Sequence, residues 1–239
     1  MTLIVYKDGI LAADTRATHR CGAQHETNCA HCGKGATAVN DNKQKITLLS
    51  QRKTSVMFRG EKVNAVASSG SVHLINRIQR IITSGKDLEA VYENYLSVFG
   101  ANEEQNGSST TVLICETHNY VVQAPRKGEL EVEQIEKDKF ITIGSGTDGA
   151  VWVKTLHPHL SAPSIINVVM HKSVGVGGEI DFIDFSKPEL SIERQPKYDP
   201  KSIINGLIEV FQRGKEAMVA EQKKKPRTRK TTTNNKETK

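Results

Sequence analysis

The opening of the chain constrains the fold more than any other part of it. Residues 2–7 are apolar and β-branched, Asp8-Gly9 is a two-residue turn signal, and residues 10–13 resume the apolar run. That pattern predicts a β-hairpin beginning at the N-terminus. A two-residue turn at Asp8-Gly9 pairs Leu3 with Asp14. Strict alternation then puts Asp14 and the Thr2 side chain on opposite faces, so a bulge or bend is expected if the two are to cooperate.

Beyond the hairpin, a polar loop rich in Gly, His and Cys runs from 18 to 42, followed by short strand signals at 46–49, 54–58 and 62–67. Val72, Leu74, Ile75, Ile78, Ile81 and Ile82 recur at helical spacing, and Leu88, Val91, Tyr92, Tyr95 and Leu96 do so again after Gly85. Strand signals return at 110–115, 120–123, 130–135 and 140–143, then helices at 148–156 and 164–171, a strand pair at 179–185 and 190–194, and an amphipathic helix at 200–220. Strands grouped with strands and helices with helices predict an α+β fold, two antiparallel sheets face to face with helices outside. No internal repeat is present.

The chain is 239 residues long, enough for one large domain, yet only 37% is apolar and 5% aromatic. The dilution comes from the C-terminus. From Lys223 to Lys239 there are eight Lys or Arg and one Glu, a net of +7 against +6 for the whole protein, so the rest of the chain is near −1. The expected organisation is one domain over 1–222, carrying a Cys/His-rich insert at 19–42, and a disordered basic tail over 223–239. The tail has no apolar residue to offset ordering entropy; it is read either as a solvated tether or as an arm contacting a polyanion. No stretch approaches the roughly 18 apolar residues of a membrane span, and the N-terminus lacks a charged-then-apolar signal pattern, so the expected location is the cytoplasm with no membrane partner.

Thr2 follows the initiator Met, and a small residue there permits Met1 removal. The chain would then start with a free threonine amine. A hydroxyl is a poor nucleophile at its own pKa, whereas an α-amino group, with a pKa of roughly 7.7–8.0, can accept its proton near neutral pH. Nucleophile and base then reside on one residue.

The run MTLIVYKDGILAADTRAT resembles the opening of proteasome β subunits and of the related HslV-like bacterial two-component peptidase, in which an N-terminal Thr strand, a KDG-like turn and an A-A-D-x-R-x-T strand occur in this order. The resemblance continues through Lys45 and Ile46, through Ile143, Gly144, Ser145 and Gly146 before a helix, and through the late G-G-x-I-D run from Gly177 to Asp181. It implies a four-layer αββα sandwich of the N-terminal-nucleophile (Ntn) hydrolases and a threonine-type endopeptidase acting in a homo-oligomeric ring on peptides or unfolded proteins, with an ATP-dependent unfoldase as partner and no cofactor needed for catalysis. It further implies Thr2 as nucleophile, Asp14 as the acidic residue with Arg16 its neighbour in the motif, Lys45 as the active-site lysine, Ser145 as the accessory serine and the Ala67 backbone N–H as an oxyanion donor. Ala17, Ala65 and Ser69 would line the first specificity pocket.

The same alignment puts Ser173 where the proteasome subunits have an active-site Asp and Val176 where they have a Ser that orients the Thr amine. The alternative reading is therefore a catalytically inactive member serving as a structural or assembly protein, for example of a phage particle. A third is amide hydrolysis on small molecules, because fold alone does not fix function.

Cys21, His25, Cys29 and Cys32 supply three thiols and an imidazole, the last two cysteines as a C-x2-C pair, a donor set suited to a structural tetrahedral zinc; a loop with incidental thiols is the other reading. A weaker expectation, implied by the two-component relative, is a monovalent ion held by carbonyls near Gly178, Asp181 and Asp184. If the insert holds zinc, elemental analysis of the purified protein should find about one equivalent per chain, and Cys29→Ser with Cys32→Ser should lose it. Equal zinc in both proteins would dismiss the site.

Overall fold

The computed structural model describes residues 2–19, 38–53, 55–88, 108–124, 129–173 and 175–197, without the side chains of 18, 19, 38, 39 and 73. The chain divides into two units, Met1–Lys197 and Tyr198–Lys239. Every described residue belongs to the first; the expected helix at 200–220, the boundary at 222 and the basic tail lie outside them.

The hairpin forms as the turn dipeptide requires. Strands β1 (Leu3–Lys7) and β2 (Ile10–Asp14) pair antiparallel, Ile4 with Ala13 and Lys7 with Ile10. Asp8 and Gly9 take φ of 50° and 76°, the left-handed pair that lets a two-residue turn follow the strand twist. β3 (Ala17–His19) and β4 (Ala38–Asn40) then pair with each other, inside the segment expected to be loop. β5 (Ile46–Leu48), β6 (Met57–Phe58) and β7 (Glu61–Gly70) follow. β6 is shorter than its apolar signal suggested, and a second left-handed turn at Arg59 and Gly60 joins it to β7.

Helix α1 (Val72–Thr83) leads through β8 (Ser109–Cys115), β9 (Asn119–Ala124), β10 (Glu131–Ile135) and β11 (Ile141–Gly144) to α2 (Thr147–Leu156) and α3 (Ala162–Met170), with β12 (Ile180–Asp184) and β13 (Glu193–Gln195) last. Each lies within a few residues of its sequence expectation. The expected helix from Leu88 onward falls almost wholly outside the described residues.

All strand pairs are antiparallel. One sheet runs β11-β1-β2-β12-β13; the other runs β10-β9-β8-β7-β5, with β6 on β7. Three apolar clusters set the layers. Ile4, Tyr6, Leu11 and Ala13 meet Ile46, Ala65, Ala67 and Val112 between the sheets. Leu74, Ile78, Ile81 and Ile82 of α1 cover the outer face of the larger sheet with Val66, Leu113 and Val122. Ile165, Ile166 and Val169 of α3, with Ala150 of α2, cover the smaller one over Leu3, Val5 and Ala12. The order is helix, sheet, sheet, helix, as the grouping of elements predicted. Among the described residues no helix is long and apolar enough to cross a membrane.

At one end of the larger sheet, Glu61 ties β7 to the β8–β9 turn. One carboxylate oxygen accepts the Thr117 and His118 N–H groups, each at 2.9 Å. The other accepts the Tyr120 hydroxyl at 2.8 Å and lies 2.7 Å from His118 Nδ1. Desolvation opposes ionisation of Glu61, but these hydrogen bonds outweigh it and hold the carboxyl down at about 2. Because the folded value lies below the ordinary one, the stabilisation is complete above about pH 4.5 and is lost as pH falls toward 2. The melting-temperature gap between the wild type and Glu61→Gln should therefore shrink as pH falls below about 4.5.

Candidate active site

Four segments meet where β1 begins, and Asp14 joins three of them. Its Oδ1 accepts the Leu3 N–H at 2.8 Å and Lys45 Nζ at 2.6 Å, and its Oδ2 accepts the Gly177 N–H at 3.1 Å. Asp14 is fully buried and the Lys45 side chain is 6% exposed. Burial pushes the Asp14 carboxyl upward against the lowering pull of Lys45 and the two N–H groups. Burial likewise pulls the Lys45 ammonium down, against Asp14. Lys45 is therefore an easier proton donor than a solvated lysine.

The expected bulge in the hairpin does not occur. β2 stays in register through Asp14, which pairs with Ile180, and Asp14 keeps the helix-side face shared by Leu3 and Ala12. Lys45 bridges the two faces instead: its ammonium bonds Asp14, while the residue lines a cleft of about 300 Å³ together with Thr2. A bulge is found in β7 instead, between Val63 and Ala65.

Ser145 approaches Thr2 from the β11–α2 junction. The Thr2 N–H donates to Ser145 Oγ at 3.2 Å, and Ser145 Oγ–H donates to the Thr2 carbonyl at 3.4 Å. Gly144 makes this approach possible. It has φ of +102°, and a Cβ there would lie 2.1 Å from the Thr2 carbonyl oxygen.

Arg16 belongs to the scaffold of the site. Its guanidinium grips Asp41 at 2.6 and 2.9 Å and lies so close to Gly177 that a Cβ there would come within 2.5 Å of Cζ. The Lys43 N–H donates to the Thr15 carbonyl at 2.8 Å, so Thr15, Arg16 and Asp41 fix the segment that delivers Lys45. Thr15 and Asp41 were missed in the sequence; the signal for them was the glycine pair, because Gly178 has Thr15 Oγ1 and the Asp41 carbonyl where a Cβ would be.

Two expectations on β7 are off by one residue, and one residue flips a strand's faces. Ala65 lies in the inter-sheet core, away from the cleft, and Ser69 points to the Gly144 side. Ala17, Ser68 and Gly70 line the cleft, with Thr47 of β5 and Asn76 and Gln79 of α1. Ala67 is fully buried between Ile46 and Val112. The Asn64 carbonyl accepts from Leu49 N, so alternation turns the polar backbone groups of Asn64, Val66 and Ser68 toward the β5 edge and those of Ala67 toward β8. The Ser68 N–H thus faces the β5 side, where the last registered pair is Ile46 with Ala67.

Val176 is 1% exposed and packs in the cluster beneath α2 and α3, with its Cγ2 3.0 Å from where a Gly146 Cβ would be. It fills space and brings no hydroxyl to the Thr2 amine. Ser173 closes the end of α3, its N–H on the Val169 carbonyl at 2.9 Å.

The expected ion site draws on carbonyls near Gly178, Asp181 and Asp184, and the two Asp side chains there are engaged by other groups. The Asp181 carboxylate is taken by Arg194 at 2.6 and 3.0 Å, Asp184 accepts from the N–H and hydroxyl of Ser186, and residues three apart on a strand face opposite sides. Gly178 is packed against Thr15 and Asp41. Cys21, His25, Cys29 and Cys32 lie outside the described residues, among which no group of three or more metal-binding side chains occurs.

No protein-family model and no curated protein matches the chain. Among solved structures it is similar to eukaryotic HslV from Trypanosoma brucei, with a TM-score of 0.46 and 12% identity over 76% of this chain and 96% of that one.

Removing Asp14 alone leaves a buried ammonium without its counter-charge. Asp14→Asn should cost about 3–5 kcal/mol in urea denaturation, and Asp14→Asn with Lys45→Met should recover most of the loss.

Proposed function

We propose that the chain is a threonine-type peptidase of the proteasome β and HslV-like kind, with Thr2, freed by removal of Met1, as nucleophile. The observation that carries the reading is that Thr2 and the buried, Asp14-paired Lys45 line one cleft while Ser145 touches the Thr2 nitrogen. The sequence landmarks shared with that family support it independently.

The chemistry follows from the placement. The Thr2 hydroxyl attacks the peptide carbonyl and gives its proton to its own α-amine. The Lys45 charge lowers the cost of that proton loss, and Ser145 holds the amine by its nitrogen. The developing oxyanion requires a backbone N–H donor facing the cleft. The amine then protonates the leaving amine, and water resolves the ester on Thr2. No metal enters these steps; zinc in the Cys21, His25, Cys29 and Cys32 insert would be structural. A homo-oligomeric ring, an ATP-dependent unfoldase supplying unfolded protein, and a cytoplasmic location complete the proposal and rest on the sequence resemblance.

Mass spectrometry should find the chain without Met1 and with an unacetylated Thr2; a retained Met1 would sink the catalytic reading. A β-lactone probe should add to Thr2. Thr2→Ala should abolish labelling and turnover, and Ser145→Ala should slow turnover about 10- to 100-fold.

A non-catalytic structural role is favoured by one observation, the buried Val176 where the resembled subunits carry a hydroxyl. A free Thr2 that resists the probe would favour that role.

A further inference from the structure

The cleft at Thr2 has a neighbouring cavity along α1. It shares Thr47, Asn76 and Gln79 with a second cavity of about 310 Å³ that reaches Arg52 and Arg80. The two cavities together form a groove beside α1, with the nucleophile in the first and two guanidinium groups in the second. α1 is built for this: Leu74, Ile78, Ile81 and Ile82 face the sheet, and a separate stripe at Val72, Asn76, Gln79, Arg80 and Thr83 faces the groove.

The charges along the groove are of one sign. Among the described residues Lys43, Lys45, Arg52 and Arg80 line it and no Asp or Glu does. Asp14 neutralises Lys45; among the described residues Lys43, Arg52 and Arg80 have no ion-pair partner. Gln79 reaches only a distant contact, 3.5 Å from Ser68 Oγ. Amide N–H donors thus stand between the nucleophile and unpaired cations.

We infer that this groove receives an acidic side chain, so that the enzyme cleaves after Asp or Glu. The assignment rests on the peptidase reading, because a groove opening beside the nucleophile takes the side chain of the residue whose carbonyl is attacked. An apolar side chain there would desolvate the Asn76 and Gln79 amides and the cations without replacing their hydrogen bonds. A basic one would meet like charge. A carboxylate accepts from the amides and pairs with Arg80 or Lys43.

The test separates binding from turnover. Full-length Thr2→Ala protein is titrated with four N-acetylated peptide amides identical except for a last residue of Glu, Gln, Leu or Arg. The Glu peptide should bind about 10-fold tighter than the Gln peptide, and the advantage should shrink in high salt. Lys43→Ala with Arg80→Ala should remove the advantage while leaving the affinity for the Leu peptide unchanged. Equal affinities for Glu and Leu, a preference for Arg, an advantage untouched by the substitutions, or no binding of any peptide overturns the inference. Wild-type turnover of fluorogenic amides with the same four residues tests the parent reading. Acid-selective binding without any turnover rejects the peptidase, and with it cleavage after Asp or Glu, and keeps only the groove's acceptance of an acidic side chain. Turnover fastest after Leu or Arg keeps the peptidase and rejects the groove assignment.

Discussion

The buried Asp14 carboxylate is the constraint around which the site is organised. Its contacts join the start of β1, the entry to β5 and the loop before β12, three segments distant in sequence. A carboxylate so buried is tolerable because every lone-pair direction in use meets a donor, one of them an ammonium. The same arrangement that satisfies Asp14 fixes Lys45 in the Thr2 cleft. Structural satisfaction and chemical placement are here one set of bonds.

Glycine and arginine complete that frame. Gly144 admits the Thr2 carbonyl, Gly177 admits the Arg16 guanidinium, and Gly178 admits Thr15 and Asp41. Any side chain at these positions would push apart segments that must lie within hydrogen-bond reach. Arg16, two residues after Asp14, acts through Asp41 on the segment bearing Lys45. The geometry at Thr2 is thus held by residues outside the lining of its cleft.

Much of this was legible in the chain. The Asp8-Gly9 turn set the hairpin register, the grouping of strand and helix signals gave the layers, and the joint occurrence of Thr2, Asp14, Lys45 and Ser145 in family-like contexts brought together residues that do meet. The β7 assignments were less secure because an apolar strand such as AVASS has no sharp polar alternation to mark its faces, and an offset of one residue exchanges them. That is why Ala65 and Ala67 turned out to be core and Ser68 to line the cleft. The pairing of β3 with β4 was invisible for another reason: its partners flank a long polar insert, and such a pairing has no local signature.

The sequence by itself determined the local conformations and the inventory of chemical groups, since turn stereochemistry, periodicity and residue type act over a few neighbouring positions. Tertiary structure decided which groups share an environment. It brought Lys45 to a carboxylate on the opposite face of the hairpin sheet, converted Val176 into core packing, committed Asp181 to Arg194, and laid a polar stripe of α1 beside the Thr2 cleft. These outcomes depend on contacts between residues far apart in the chain, and burial, which sets the energy of every charge in the site, exists only once the layers have closed.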